Sequence, residues 1–412
     1  MKKLKFAFLI AIFAVPFLFW SKESSAIPSF ARKYKTSCLT CHSGFPTRNA
    51  FGEAFKNNGY RWPGGEDEDK AQQEQTKLGG SGWKNLFPDA PYPTDIPGFA
   101  PLAVYVTGTM LQYKETSLDK NGAVVRQTLN WSGPFDGRLL YGGTIGENIG
   151  FFGAFEGFRT GSTTSGVRLT WAFAPGVNLT FGNQFSNLTN STITSVLPSS
   201  NNPGIELNIA QGDEGGYNII AGIQSSGATQ SGTSVPATSK IYDIRYLRAK
   251  YKLFGAGLLS GAGGVYGNEY NGLDNQVTVG AAIFNSEKRG GAGLLTVGPG
   301  AGESTVYAVD VAGNFGNFTG SVAFGRDSDL KLSNFYADAG YFIYPWLFAR
   351  VRYTNTGIGG GSYNNPTVVP SVTAFLRANV FVAGTYTAFT KKKASTGAEN
   401  VDTFNLTAGL GF

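Results

Sequence analysis

Thr403-Phe404-Asn405-Leu406-Thr407-Ala408-Gly409-Leu410-Gly411-Phe412 is the stretch that decides the fold. Phe404, Leu406, Ala408, Leu410 and Phe412 alternate with Thr403, Asn405, Thr407, Gly409 and Gly411. Successive side chains of a strand point to opposite faces, so one face of this segment is apolar and the other small or polar. An ordinary amphipathic sheet edge explains the alternation but not why the chain stops on that Phe.

The same period of two runs upstream to Leu102, in segments of about ten residues separated by turn-forming stretches. Leu139, Tyr141 and Ile145 oppose Arg138 and Thr144; Val167, Leu169, Trp171 and Phe173 oppose Arg168 and Thr170; Leu347, Ala349, Val351 and Tyr353 oppose Arg350 and Arg352. An unpaired charge facing lipid costs ~2–4 kcal/mol near the midplane, so these arginines, with Glu156, Asp310 and Asp338, belong to an inner face. The inferred lumen is lined with both signs of charge. Short links at Glu147-Asn148, Pro175-Gly176 and Tyr344-Pro345 read as periplasmic turns, and the polar stretches 187–203, 225–238 and 355–369 as external loops. The strand tally falls between 16 and 18, depending on whether Ala292 to Val297 spans, and the preference for even counts selects 16. A soluble β-sandwich would also alternate, but it leaves the terminal Phe and the 32 Phe and 19 Tyr unexplained. The expected fold is an all-β transmembrane barrel over 102–412, and its last segment resembles the C-terminal signature that the barrel-insertion machinery of bacterial outer membranes recognises.

The 412-residue chain also has room for a small second unit. Residues 1–26 read as a signal peptide: a basic start, an apolar run from Phe6 to Trp20 and the small-residue site Ser24-Ser25-Ala26. That run is shorter than the ~20 residues of a spanning helix, so residence in a membrane falls to the barrel. The net charge is +6, half of it in the leader, and no basic patch interleaved with aromatics points to nucleic acid.

Residues 27–65 carry the chemistry. Cys38-Leu39-Thr40-Cys41-His42 holds the only two cysteines and the only histidine of the chain. It reads as a c-type haem attachment site: two thiols add to the haem vinyl groups and the adjacent imidazole becomes the proximal iron ligand. A disulfide loop or redox dithiol would use the same Cys-x-x-Cys but not the histidine. Phe30, Tyr34, Phe45, Phe51 and Phe55 supply apolar cover in a small helical unit. Phe51 and Phe55 share a helix face that Thr47 or Asn49 can cap and Gly59 can end. So small a unit requires covalent haem and docking on something larger. Residues 66–101 read as a linker, opening with Glu66-Asp67-Glu68-Asp69 and stiffened by Pro88, Pro91, Pro93, Pro97 and Pro101. The sixth iron position is open to Met110, Lys33, Lys35, Lys56, the new N-terminal amine or water, or is left vacant; Met110, the only mature methionine, shares a face with Leu102, Val104 and Val106.

Ile27-Pro28-Ser29-Phe30-Ala31-Arg32, the Cys-x-x-Cys-His motif, Phe45-Pro46, Phe51 to Lys56 and Gly59-Tyr60 together resemble the fused outer-membrane cytochrome c-porins of the iron-oxidase type. Tyr34-Lys35 and Glu53 depart from many iron-oxidising members. The resemblance implies one haem c on Cys38, Cys41 and His42, in a unit that plugs a barrel of about 16 strands. It further implies an electron conduit, an Fe(II):cytochrome c oxidoreductase, from extracellular Fe(II) to a periplasmic cytochrome c or similar carrier. Arg138, Arg168, Arg350, Arg352, Asp310 and Asp338 are candidates for seating the plug. Two other functions are compatible with the sequence: a diffusion porin gated by its haem plug, and a haem peroxidase or gas sensor. The last lacks a second histidine for distal acid-base work.

Overall fold

The computed structural model describes residues 29–64 except 35, 37, 45 and 46, the short strands 75–77 and 95–97, and 102–411 except 119–123, 131–134, 146–147, 156–164, 184–195, 198–202, 226–243, 269–270, 287–302, 359–364, 378 and 391–400. The expected signal peptide, the acidic run 66–69, Glu156 and Phe412 lie outside the described residues.

From Leu102 onward the chain forms a closed antiparallel barrel of 16 strands. The first half is β1 (Leu102–Leu118), β2 (Val124–Asn130 and Phe135–Ile145), β3 (Ile149–Phe155), β4 (Ser165–Ala174), β5 (Val177–Gly182), β6 (Gly204–Gln211), β7 (Glu214–Gln224) and β8 (Ile244–Ala256). The second half is β9 (Gln276–Ser286), β10 (Ser304–Phe315), β11 (Phe318–Asp327), β12 (Ser333–Tyr344), β13 (Leu347–Ile358), β14 (Asn365–Arg377), β15 (Val380–Phe389) and β16 (Thr403–Gly411). The two pieces of β2 pair with successive halves of β1, so they fill one place in the ring. β9 pairs directly with β10, and Ala292 to Val297, the expected candidate for an extra span, lies outside the described residues. The segment that opened the reading closes the structure: Leu410 lies opposite Val106 and Leu406 opposite Leu111.

The alternation read from sequence matches the two faces. Val167, Leu169, Trp171 and Phe173 are 37–51% exposed on the outside of β4, whereas Arg168 and Thr170 between them are 7% and 3% exposed. An apolar exterior and a polar interior are what a lipid-spanning barrel requires, since closure pairs every backbone group. Strand parity puts the links 145–149, 174–177, 211–214, 315–318, 344–347 and 377–380 at one end, together with the start of β1 and the end of β16. The links 182–204, 224–244, 286–304 and 389–403 fall at the other end. One link breaks the pattern. Residues 257–275 sit at the short-turn end but are long enough to fold back, with a small strand pair of their own at Tyr266–Asn268 and Leu273–Asp274.

The lumen is not charged throughout, contrary to the sequence expectation. Toward the long-loop end Ile220, Tyr246, Phe284, Val306 and Ala323 form an apolar cluster around Val196 and Leu197, which are 0% and 1% exposed. The link between β5 and β6 carries those two residues back into the barrel, and an apolar wall there hides apolar side chains that would otherwise meet water.

The N-terminal unit is smaller and less helical than a helical domain would be. It comprises α1 (Ser29–Lys33), a 3-10 turn at Cys38–Thr40, a bridge between His42–Gly44 and Thr47–Arg48, and α2 (Ala50–Asn57). The linker is not simply extended: Gln75–Lys77 pairs antiparallel with Asp95–Pro97.

Candidate functional site

Asn49 organises the Cys-x-x-Cys-His turn. Its side-chain oxygen accepts from the Gly52 amide at 2.9 Å, capping α2, while its Nδ2 donates to the Leu39 carbonyl at 2.8 Å and its own amide donates to the Cys41 carbonyl at 3.0 Å. One residue thus satisfies a helix terminus and braces the cysteine turn. The helix packs so closely there that a Cβ at Gly52 would stand 2.0 Å from the Cys41 carbonyl oxygen. At its other end Gly59, with φ of 71°, donates to the Lys56 carbonyl, and Tyr60 donates to the Phe55 carbonyl. This nested pair is the Schellman termination, as expected of Gly59.

The arrangement fits the group that the motif implies. Cys38 opens a 3-10 turn that ends at Thr40, and Cys41 follows it directly. Cys41 and His42 are half-buried, and Tyr34, Phe51, Phe55 and Trp62 pack within the same unit, with Tyr34 and Phe51 each about 5 Å from the Trp62 ring. Cys38 and Cys41 are the attachment points and His42 the proximal ligand that a haem c would use. When bound, that group supplies a one-electron couple. Met110 falls elsewhere: it is the extra residue at a bulge of β1, between Thr109 and Leu111, and is 36% exposed. The plug meets the wall on β2 to β6 and on the 257–275 link, so the described contacts do not bring Met110 to His42.

Those contacts lock the unit into the short-turn end of the lumen. Asn57 and Asn58 donate to the Leu258 and Leu259 carbonyls at 2.9 and 2.7 Å, and Asn178 of β5 donates to the Asn57 carbonyl at 2.5 Å. Lys33 donates to Thr144 of β2 at 2.6 Å. Tyr60 stacks on Phe152 of β3, and the Arg168 guanidinium lies over both rings, 5.1 and 4.5 Å from their centroids. Glycine on the wall permits the approach: a Cβ at Gly150 would stand 2.0 Å from the Gly59 carbonyl oxygen.

Of the six residues expected to seat the plug, Arg168 touches it. Asp310 and Asp338 instead pair along the wall, with Arg248 at 3.1 Å and Arg350 at 3.0 Å. Arg138 pairs with Asp136 of its own strand. Sequence reasoning missed Asn178, Gly150 and the 257–275 link. The link had a signal, being the one long connection at the short-turn end.

Beside α2 a cavity of about 590 Å³ remains between plug and wall, within the range that small ligands occupy. It is lined by Glu53 and Lys56 of the plug and by charged residues of β8, β10, β12 and β13. Burial alone would raise the Glu53 carboxyl, but Arg48, then Lys56 and Lys250, outweigh it and hold the group well below the usual carboxylate range. Burial, reinforced by Arg48, pushes the Lys56 ammonium well below the usual lysine value, although Glu53 pulls the other way.

No family model and no curated protein matches the sequence. Among solved structures, the chain is similar to Salmonella typhi OmpF in complex with daunomycin, at 14% identity and a TM-score of 0.48, over 76% of this chain and 97% of that one. It is also similar to the anion-selective porin of Comamonas acidovorans, at 11% identity and a TM-score of 0.46, over 76% of this chain and 99% of that one. A mutant porin of Rh. blastica gives the same values.

Proposed function

We propose that this protein is an electron conduit of a bacterial outer membrane, carrying one haem c on Cys38 and Cys41 with His42 as proximal ligand. The observation that carries the reading is the docking of the Cys-x-x-Cys-His unit inside a closed barrel, on hydrogen bonds from Asn57, Asn58 and Asn178. In this reading the strands insulate, and a haem on the docked unit would sit within the insulating wall. Val196 and Leu197, packed into the opposite half of the lumen, favour a filled interior over an open pore. Short turns are the periplasmic feature of such barrels, so the plug faces the compartment where a periplasmic cytochrome would take the electron. Fe(II) is the donor to test first, because its oxidation outside the cell leaves the poorly soluble ferric product outside.

The experiment is anaerobic addition of Fe(II) to the oxidised, detergent-purified protein, following the c-type α-band. Fast reduction is the expected result, with none in the double variant Cys38→Ser/Cys41→Ser. Reduction by another donor alone would retain the conduit and remove iron.

A second reading, diffusion of small solutes past a gating plug, draws on the charged cavity beside α2. It requires solute flux in liposomes that survives loss of the haem.

A further inference from the structure

The cavity beside α2 has an unbalanced lining. Each of its four acids is matched by one cation: Glu53 by Arg48 at 2.5 Å, Asp274 by Lys252 at 2.9 Å, Asp310 by Arg248 and Asp338 by Arg350. Three further cations line the same space: Lys56 on α2, Lys250 on β8 and Arg352 on β13. Among the described residues none of the three has an ion pair, although the buried Glu206 of β6 lies on the far side of Lys56 and offsets part of its charge. Lys250, Gly280 and Asp310 form one row across three strands, and a Cβ at Gly280 would stand 2.5 Å from Asp310 Oδ1. The Asp310 carboxylate therefore leans toward Lys250, but both of its oxygens accept from Arg248. Lys56 and Lys250 line the same cavity, one from the plug and one from the wall.

We propose that this cavity binds a small polyvalent oxyanion of the phosphate or sulfate class, held between Lys56 of the plug and Lys250 of the wall, with Arg352 supplying the third charge. Charges taken out of bulk water are costly unless compensated, and a dianion compensates two at once. Lys56 is 7% exposed, so no ordinary solvent shell surrounds it. Lysine acts as a point charge and arginine as a fork, a combination that suits tetrahedral oxyanions. The site joins a plug residue to a wall residue, so occupancy also fastens the plug. It lies on the Ser43 and Glu53 side of the unit.

The test is calorimetric titration of inorganic phosphate into the detergent-solubilised full-length protein, each variant first shown to run as a folded barrel on an unheated gel. The wild type shows saturable binding, and Lys250→Gln weakens it by roughly tenfold or more, as truncation of a desolvated charge does. Lys250→Arg, which keeps the charge, retains it. Lys331→Gln, an exposed lysine of the link between β11 and β12, leaves it unchanged. If Lys250→Gln does not fold, Arg352→Gln gives the same reading. Absence of saturable binding in the wild type, or equal affinity in Lys250→Gln and Lys331→Gln, overturns the proposal.

Discussion

Gly150→Ala places one methyl group where the wall of the barrel meets the plug. Its Cβ would stand 2.0 Å from the Gly59 carbonyl oxygen, and 3.4 Å from Cβ of Tyr60. The obstructing atom is backbone, at a helix end fixed by the nested hydrogen bonds of Gly59 and Tyr60, and Gly150 is itself held between Thr144 and Thr170. No side chain can rotate away, so plug and wall must separate. Overpacking of this kind costs about 1–3 kcal/mol, which enlarges the undocked population roughly 5- to 150-fold at ~1.4 kcal/mol per decade. The barrel closure itself is untouched, because the added methyl faces the lumen. Limited proteolysis of the assembled barrel reads the effect: cleavage before residue 102 accelerates by that factor while the barrel fragment stays resistant. Gly384→Ala is the control, since its Cβ would meet nothing nearer than the Phe404 ring at 3.7 Å. Equal cleavage rates for Gly150→Ala and Gly384→Ala would refute the docking described here.

Four more outcomes follow from the same geometry. Asn49→Ala removes the α2 cap and the brace on Leu39 and Cys41 together, and should destabilise the plug by about 1–3 kcal/mol, seen as earlier loss of plug protection in hydrogen exchange. Arg168→Gln takes the cation from above Tyr60 and Phe152 and should weaken docking by ~0.5–2 kcal/mol, measured by the same proteolysis. Glu53 has a folded-state pKa held below its unfolded value, so its contribution is fully present above about pH 4.3 and disappears as the pH falls through the lower folded value; plug protection should be level from pH 5 to 8 and fall only in stronger acid, with that acid sensitivity reduced in Glu53→Gln. His42→Ala should abolish reducible c-type absorption while the barrel still migrates as folded on an unheated gel. Failure of assembly would make the haem unit structural as well.

The barrel was legible because lipid enforces a strict rule at every outward position. Leu406, Ala408 and Leu410 announce their face without any partner being known, and the parity of links followed from the short turns at 148, 175–176 and 344–345. The ends of α2 were legible for a similar reason: Asn49 and Gly59 act on neighbours within five residues. Docking was not legible. It rests on side chains reaching main-chain carbonyls of distant segments, as when Asn57 reaches Leu258, 201 positions away, and any sequence offers a carbonyl everywhere. The apolar half of the lumen escaped for a different cause. Val196-Leu197 stands in a stretch rich in Ser, Thr and Asn, and its composition points outward to solvent; the one clue is an apolar pair with nothing apolar beside it.

An even number of strands returns the chain to the side from which it set out. The start of β1 and the end of β16 are neighbours at the short-turn rim, and the plug enters by that rim. The linker therefore has no membrane to cross, whatever order assembly takes. The seam between β1 and β16 can zip shut with the N-terminal unit still outside, and the proposed haem would then be attached to a small separate body. Docking can then come last, a cork fitted to a finished bottle, and under the proposed function a chain without haem would still close its barrel.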